Sequence, residues 1–87
     1  MINDITTAFS KNDKVKTIML KVVDDYYNFV IVTTNDKCDR RLIDDLIEIE
    51  IKIMNKYKDI KLDFLYLPSF LENNFNKDNE IVYWSGK

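Results

Sequence analysis

The sequence predicts an α+β fold in which a mixed four-stranded sheet packs on one long amphipathic helix. Short apolar, β-branched runs lie on both sides of a single long helical pattern at Asp39–Lys58. Turn-forming residues join the first two runs, which indicates an antiparallel hairpin, and the helical pattern connects the second run to a third. The expected order is (α)ββαβ(α)β, where the helices in brackets are short.

Size and composition indicate one domain covering residues 1–87. A hydrophobic share of 46% and a charged share of 32% are those of a globular chain rather than a disordered one. With one Gly and one Pro, most of the chain is expected to lie in regular elements. The domain is near the lower size limit for folding alone.

The first fourteen residues contain a short helical pattern that runs to Phe9. Asn3 or Asp4 is the expected N-cap, because a short polar side chain can accept a hydrogen bond from the first turn. The apolar side of this helix is formed by Ile2, Ile5 and Phe9. The alternative is a loosely attached N-terminal arm.

Two strands are expected next. Val15–Val23 alternates, with Ile18, Leu20 and Val22 on one face. Asp24–Asn28 supplies the turn. Phe29–Thr33 is apolar at consecutive positions, which is typical of an interior strand covered on both faces.

The long helix is expected to begin at an acidic cap, Asp36 or Asp39. On a helical wheel its apolar residues form two neighbouring stripes. The first stripe is Leu42, Leu46, Ile49, Ile53 and Tyr57, and the second stripe is Ile43, Ile47, Ile51 and Met54. One stripe is enough to cover a sheet, so the second stripe indicates that another apolar surface packs on it. That surface is either the N-terminal segment with Phe9 or a second copy of the chain.

Glu50 falls between the two stripes. It is interpreted in three ways: a rim residue with a packed stem and a hydrated carboxylate, a buried or interface carboxylate paired with a cation, or a catalytic acid. The cations considered for it are Lys16, Lys21, Arg40 and Arg41. If a partner covers the second stripe, the interface residues are Ile43, Ile47, Glu50, Ile51 and Met54.

The C-terminal third contains two more strands. Ile60–Leu67 is expected to be buried on both faces at its far end, and Pro68 ends it. Pro68–Leu71 is a candidate one-turn helix and Asn73–Asn79 a polar loop. Glu80–Trp84 is the last strand.

Several chemistries are disfavoured by what the sequence lacks. The chain has no His, which is the commonest general base and metal ligand at neutral pH. A zinc site is nearly excluded with one Cys, Cys38, and no His. No cofactor, metal or catalytic residue is predicted. No apolar run approaches the ~20 residues of a membrane helix, and no signal peptide is recognised, so the expected location is the cytoplasm.

These observations favour a small, acidic, non-enzymatic protein that works by binding another protein and by binding a second copy of itself. By analogy only, immunity proteins, antitoxins and phage accessory proteins have a similar profile. One alternative is a nucleic-acid-binding module that uses a basic cluster and aromatic side chains. The cluster is Lys37, Arg40 and Arg41, and the aromatic candidates are Tyr26, Tyr27, Phe75, Tyr83 and Trp84. The net charge of −2 disfavours it. A second alternative is a metal-dependent hydrolase using Asp24, Asp25 and Glu50.

Overall fold

The structure is a computed structural model that describes residues 1–34, 39–74 and 79–85. In these ranges the chain forms two α-helices, four strands and one 3₁₀ helix. The elements are α1 (Ile2–Ser10), β1 (Val15–Val23), β2 (Tyr26–Thr33), α2 (Arg40–Lys56), β3 (Lys61–Leu67), the 3₁₀ helix (Ser69–Asn74) and β4 (Glu80–Trp84). The predicted α+β class and element order are confirmed. No helix in the described ranges is long and apolar enough to cross a membrane.

The sheet is mixed and has the strand order β3-β2-β1-β4. β1 is antiparallel to both β2 and β4, whereas β2 and β3 are parallel. The parallel pair follows from the long α2 crossover, which a two-residue hairpin cannot replace. β2 is an interior strand, as its apolar run predicts, and each residue of Phe29–Thr33 is buried.

The β1–β2 hairpin has a two-residue turn, Asp24-Asp25, and Val23 pairs directly with Tyr26. The predicted five-residue turn was therefore too long. Asp24 and Asp25 have φ angles of 51° and 66°. Positive φ at both central residues is the conformation of a type I′ turn, which matches the twist of the flanking strands. The two aspartates alone reverse the chain, so Tyr26 is free to extend β2.

This turn is expected to be more stable with residues that favour positive φ. A side chain with a Cβ is strained in the left-handed region, and Asn and Gly tolerate it best. The double variant Asp24→Asn/Asp25→Gly should raise the free energy of unfolding by about 1 kcal/mol, measured by urea denaturation. Asp25→Ala is the control, because it removes a charge and keeps the Cβ. If Asp25→Ala stabilises as much as the double variant does, charge repulsion rather than backbone strain is responsible.

Both α-helices contribute to one core on the same face of the sheet. Ile5 and Phe9 are fully buried in that core, so the N-terminal segment is a docked helix and not a loose arm. The predicted N-cap was wrong, since α1 follows Met1 and has no side-chain cap. The Asp4 side chain instead binds Lys56, the last residue of α2, and Tyr57, which follows it.

The opposite face of the sheet, here called the open face, is covered only at one end in the described ranges. There Leu71 of the 3₁₀ helix packs on a small cluster consisting of Met19, Val30, Val32 and Leu67. Lys16 Nζ and Glu72 Oε1, 3.0 Å apart, join β1 to the 3₁₀ helix. Burial acts to raise the pKa of Glu72, but the Thr17 hydroxyl and the Lys16 ammonium outweigh it, and the pKa is lowered.

The limited cover of the open face corrects two expectations about the C-terminal third. Leu67 is buried under the 3₁₀ helix, but Leu65, two residues nearer the start of β3 and on the same face, is exposed. The helical segment runs to Asn74, so Asn73 and Asn74 are not loop residues. Residues 75–78, including Phe75, lie outside the described ranges.

Candidate protein-interaction surface

The surface is built on α2, whose position is set by its cap. The Asp39 carboxylate accepts hydrogen bonds from the backbone N–H groups of Arg41, at 3.0 Å, and Leu42, at 3.3 Å. This confirms Asp39 as a cap, while the other candidate, Asp36, lies outside the described residues. The helix ends at Lys56, two residues before the predicted end.

The two stripes of α2 have different environments. The first stripe faces the core: Leu42, Leu46 and Ile53 are buried, and Ile49 and Tyr57 pack against them. The second stripe is largely in solvent. Its exposed fractions are 37% for Ile47, 53% for Ile51 and 43% for Met54, and Ile43 is half-buried.

The N-terminal segment does not cover the second stripe. α1 contacts α2 through Asp4, which binds Lys56 and Tyr57. On a helical wheel with about 100° per residue, Lys56 lies on the opposite flank of the first stripe from Ile47 and Ile51. Phe9 points into the core, where its ring centroid is 5.5 Å from that of Phe64. Of the two alternatives for covering the second stripe, the N-terminal segment is therefore excluded.

Glu50 is half-buried at the boundary between the two stripes. Tyr66 of β3 donates a hydrogen bond to it, with 2.6 Å between Tyr66 Oη and Glu50 Oε1. Burial and this bond raise the pKa of Tyr66. Lys16, one of the proposed cationic partners, pairs with Glu72 instead. Nothing in the sequence pattern indicates this bond, apart from the position of Tyr66 on the helix-facing side of β3.

The second stripe lies beside an edge of the sheet. β3 is the outermost strand on the α2 side, and no strand in the described ranges pairs with its outer edge. The Tyr66–Glu50 bond connects this strand to α2 next to the second stripe. An apolar helix stripe and a strand edge that has no partner strand in the described ranges therefore form adjoining parts of one surface.

The residues of the nucleic-acid hypothesis do not form a common platform. Tyr26 and Trp84 are exposed on the open face, but they pair with Val23 and Thr17 at opposite ends of β1. Thr17 and Val23 are six residues apart along β1, which places Trp84 and Tyr26 roughly 20 Å from each other. Tyr27 and Tyr83 are partly buried and pack against the core on the helix-covered face of the sheet. Arg40 and Arg41 are exposed at the start of α2, and Lys37 and Cys38 lie outside the described ranges.

The three carboxylates of the hydrolase hypothesis are not brought together. Asp24 and Asp25 are exposed at the hairpin turn, whereas Glu50 binds Tyr66 on the helix side. Over the described parts of the chain, no three His, Cys, Asp or Glu side chains are close enough to hold one metal ion.

A second polar cluster lies where α1 meets α2. The Asp4 carboxylate accepts hydrogen bonds from the Tyr57 hydroxyl and from Lys56 Nζ, the latter at 2.9 Å. The Tyr57 bond, the Lys56 bond and the Lys56 charge together lower the pKa of Asp4 from 3.8 to about 2. The same contacts raise the pKa of Lys56 and of Tyr57.

This cluster predicts a pH dependence. A carboxyl whose pKa is lower in the folded state stabilises the fold when it is ionised. Its contribution is complete above the ordinary pKa of 3.8 and is lost as pH falls toward about 2. An NMR titration should give Asp4 a pKa of about 2 in the wild type. In Tyr57→Phe the pKa should move toward 3.8, because the largest single contact is removed. An ordinary pKa in the wild type would show that the cluster does not form in solution.

Comparisons with known proteins found none that is similar to this chain. No family model, curated protein or solved structure matches the chain. The surface is therefore interpreted from its own residues.

Proposed function

We propose that the chain is a small, acidic, non-enzymatic protein-binding domain that associates with a second copy of itself. The interface would consist of the second stripe of α2 and the outer edge of β3. The observation that carries the proposal is the exposure of Ile47, Ile51 and Met54 as neighbours on one helix face. Scattered exposed apolar side chains are ordinary, but a contiguous set beside an unpaired strand edge is typical of an interaction surface.

The apolar residues of the second stripe are suited to a helix–helix contact. Their spacing of four, four and three residues keeps Ile43, Ile47, Ile51 and Met54 on one ridge. Ridges at this spacing pack into the grooves of a second helix. Removing such side chains from water contributes about 25 cal/mol for each Å² of apolar surface.

The strand edge favours a second copy as the partner. A stable interface needs roughly 800 Å² from each partner, which three partly exposed side chains cannot supply alone. In a two-fold arrangement β3 pairs antiparallel with its copy, and the sheet continues from one protomer into the other. The two α2 helices then lie antiparallel on the same side of that sheet, with their second stripes facing each other. A single two-fold axis would therefore cover both the second stripe of α2 and the outer edge of β3.

The test is the mass of the wild-type protein in solution. Size-exclusion chromatography with light scattering should give a dimer at micromolar concentration, dissociating on dilution. Amide hydrogen exchange in β3 should slow as the dimer forms, because the edge backbone becomes hydrogen-bonded. A monomer at high micromolar concentration would disprove self-association. A dimer whose β3 amides exchange at the monomer's rate would remove the strand edge from the interface.

A further inference from the structure

A separate groove runs between α1 and α2, on the flank of α2 away from the second stripe. Its volume is about 350 Å³. Ala8 of α1 and Ile49 and Ile53 of α2 supply its apolar lining. Ala8 matters for the shape, because its small side chain leaves space between the two helices unfilled at this point. The groove lies near the lower end of the ~300–1,000 Å³ range of small-molecule sites.

The charged groups around the groove are mostly cationic. Lys11, Lys52 and Lys56 line it together with one carboxylate, Asp4. Three ammonium groups against one carboxylate leave a local charge of +2, on a chain whose net charge is −2. Asp4 is already bound to Lys56. Within the described ranges, Lys11 and Lys52 make no ion pair.

We propose that this groove binds a small anionic amphiphile, an aliphatic chain that ends in a carboxylate. The chain would lie on Ala8, Ile49 and Ile53, and the carboxylate would reach the ammonium groups of Lys11 and Lys52. An apolar lining with cations at its rim complements both parts of such a molecule. The Asp4–Lys56 pair and Tyr57 also line the groove, but they bind each other and contact no ligand in this arrangement.

The volume sets the size of the ligand. At roughly 30 Å³ per non-hydrogen atom, the share of one water in the liquid, a groove of about 350 Å³ holds on the order of twelve atoms. Decanoate has that size. For a ligand this small in a partly open site, a dissociation constant on the order of 0.1–1 mM is expected.

The experiment is a titration of the full chain with decanoate, followed by NMR chemical shifts. Shifts should concentrate at Ala8, Ile49 and Ile53 and saturate with a submillimolar to millimolar Kd. Lys11→Gln/Lys52→Gln should weaken binding about tenfold, because two charge contacts are lost. Ala8→Leu keeps a strong helix former while filling the groove, and it should abolish the shifts. Lys21→Gln/Lys61→Gln is the matched control, with two exposed lysines outside the groove, and should bind like the wild type.

Several outcomes would overturn the proposal. Decylammonium binding as tightly as decanoate would show that the lysines do not select the ligand. A glutamate-rich peptide that binds here more tightly than decanoate would assign the groove to a protein partner. Absence of shifts at several times the expected Kd would remove the site. These outcomes are independent of self-association, because the second stripe is on the other flank of α2, and a monomeric variant should bind decanoate as the wild type does.

Discussion

Replacing Phe9 by alanine should lower the free energy of unfolding by about 3–5 kcal/mol, the usual cost of removing a buried phenylalanine. Phe9 is fully buried. Its ring centroid lies 5.5 Å from that of Phe64 and 6.3 Å from that of Tyr66. Through these two ring contacts Phe9 packs α1 against β3. Alanine would leave a cavity between α1 and β3, and small domains have only about 5–15 kcal/mol of stability in total.

The measurement is urea denaturation followed by circular dichroism. Phe9→Leu preserves most of the volume and should cost less than about 2 kcal/mol, so it remains measurable if Phe9→Ala does not fold. Phe70→Ala is the control with the same chemical change, because Phe70 is 65% exposed; it should change stability by less than about 0.5 kcal/mol. A loss below about 1 kcal/mol for Phe9→Ala would mean that α1 is not docked.

Replacing Ile51 by lysine should raise the dimer dissociation constant by at least about 100-fold. Each copy loses the burial of an isoleucine side chain, and each places an ammonium group in an apolar interface. Because the proposed interface is two-fold symmetric, the loss counts twice and should exceed about 2.7 kcal/mol, which corresponds to the roughly 100-fold change. The monomer should fold normally, since lysine is a better helix former than isoleucine and lies three residues after Glu48.

Light scattering over a concentration series measures this change, and circular dichroism checks the fold. Val22→Lys is the matched control, because Val22 is 51% exposed and Ile51 is 53% exposed, while Val22 lies on the interior strand β1 outside the proposed interface. Only the Ile51 variant should become monomeric. Equal dissociation in both variants would place the interface elsewhere, and an unchanged dimer in both would exclude the second stripe of α2.

Local patterns were sufficient for the elements and their order. The consecutive apolar residues of Phe29–Thr33 correctly indicated an interior strand, because only a strand covered on both faces tolerates such a run. Asp39 was identified as a cap because a short acidic side chain before an apolar period satisfies the first backbone N–H groups. The predicted cap of α1 was wrong because the helix begins at Ile2, which places Asp4 inside its first turn. The Asp4 carboxylate binds Lys56 and Tyr57, which are more than fifty positions away.

The candidate surface was predicted only in part. The wheel of α2 identified the second stripe, and Glu50 as the residue between the stripes, from spacing alone. The hydrogen bond from Tyr66 to Glu50 could not be predicted from the sequence, because it depends on the distance between β3 and α2. The interhelix groove was also missed, since Ala8 carries no signal until two helices pass on either side of it.

The sequence by itself determined the α+β class, the element order and the two-sided character of α2, because these follow from residue periodicity within each segment. The tertiary structure decided which stripe of α2 is buried, since that depends on the side from which α1 packs. It also decided that β3 is the edge strand, because strand order depends on pairings between distant segments. The second stripe of α2 is therefore exposed beside an open strand edge, and the proposed self-association depends on that arrangement.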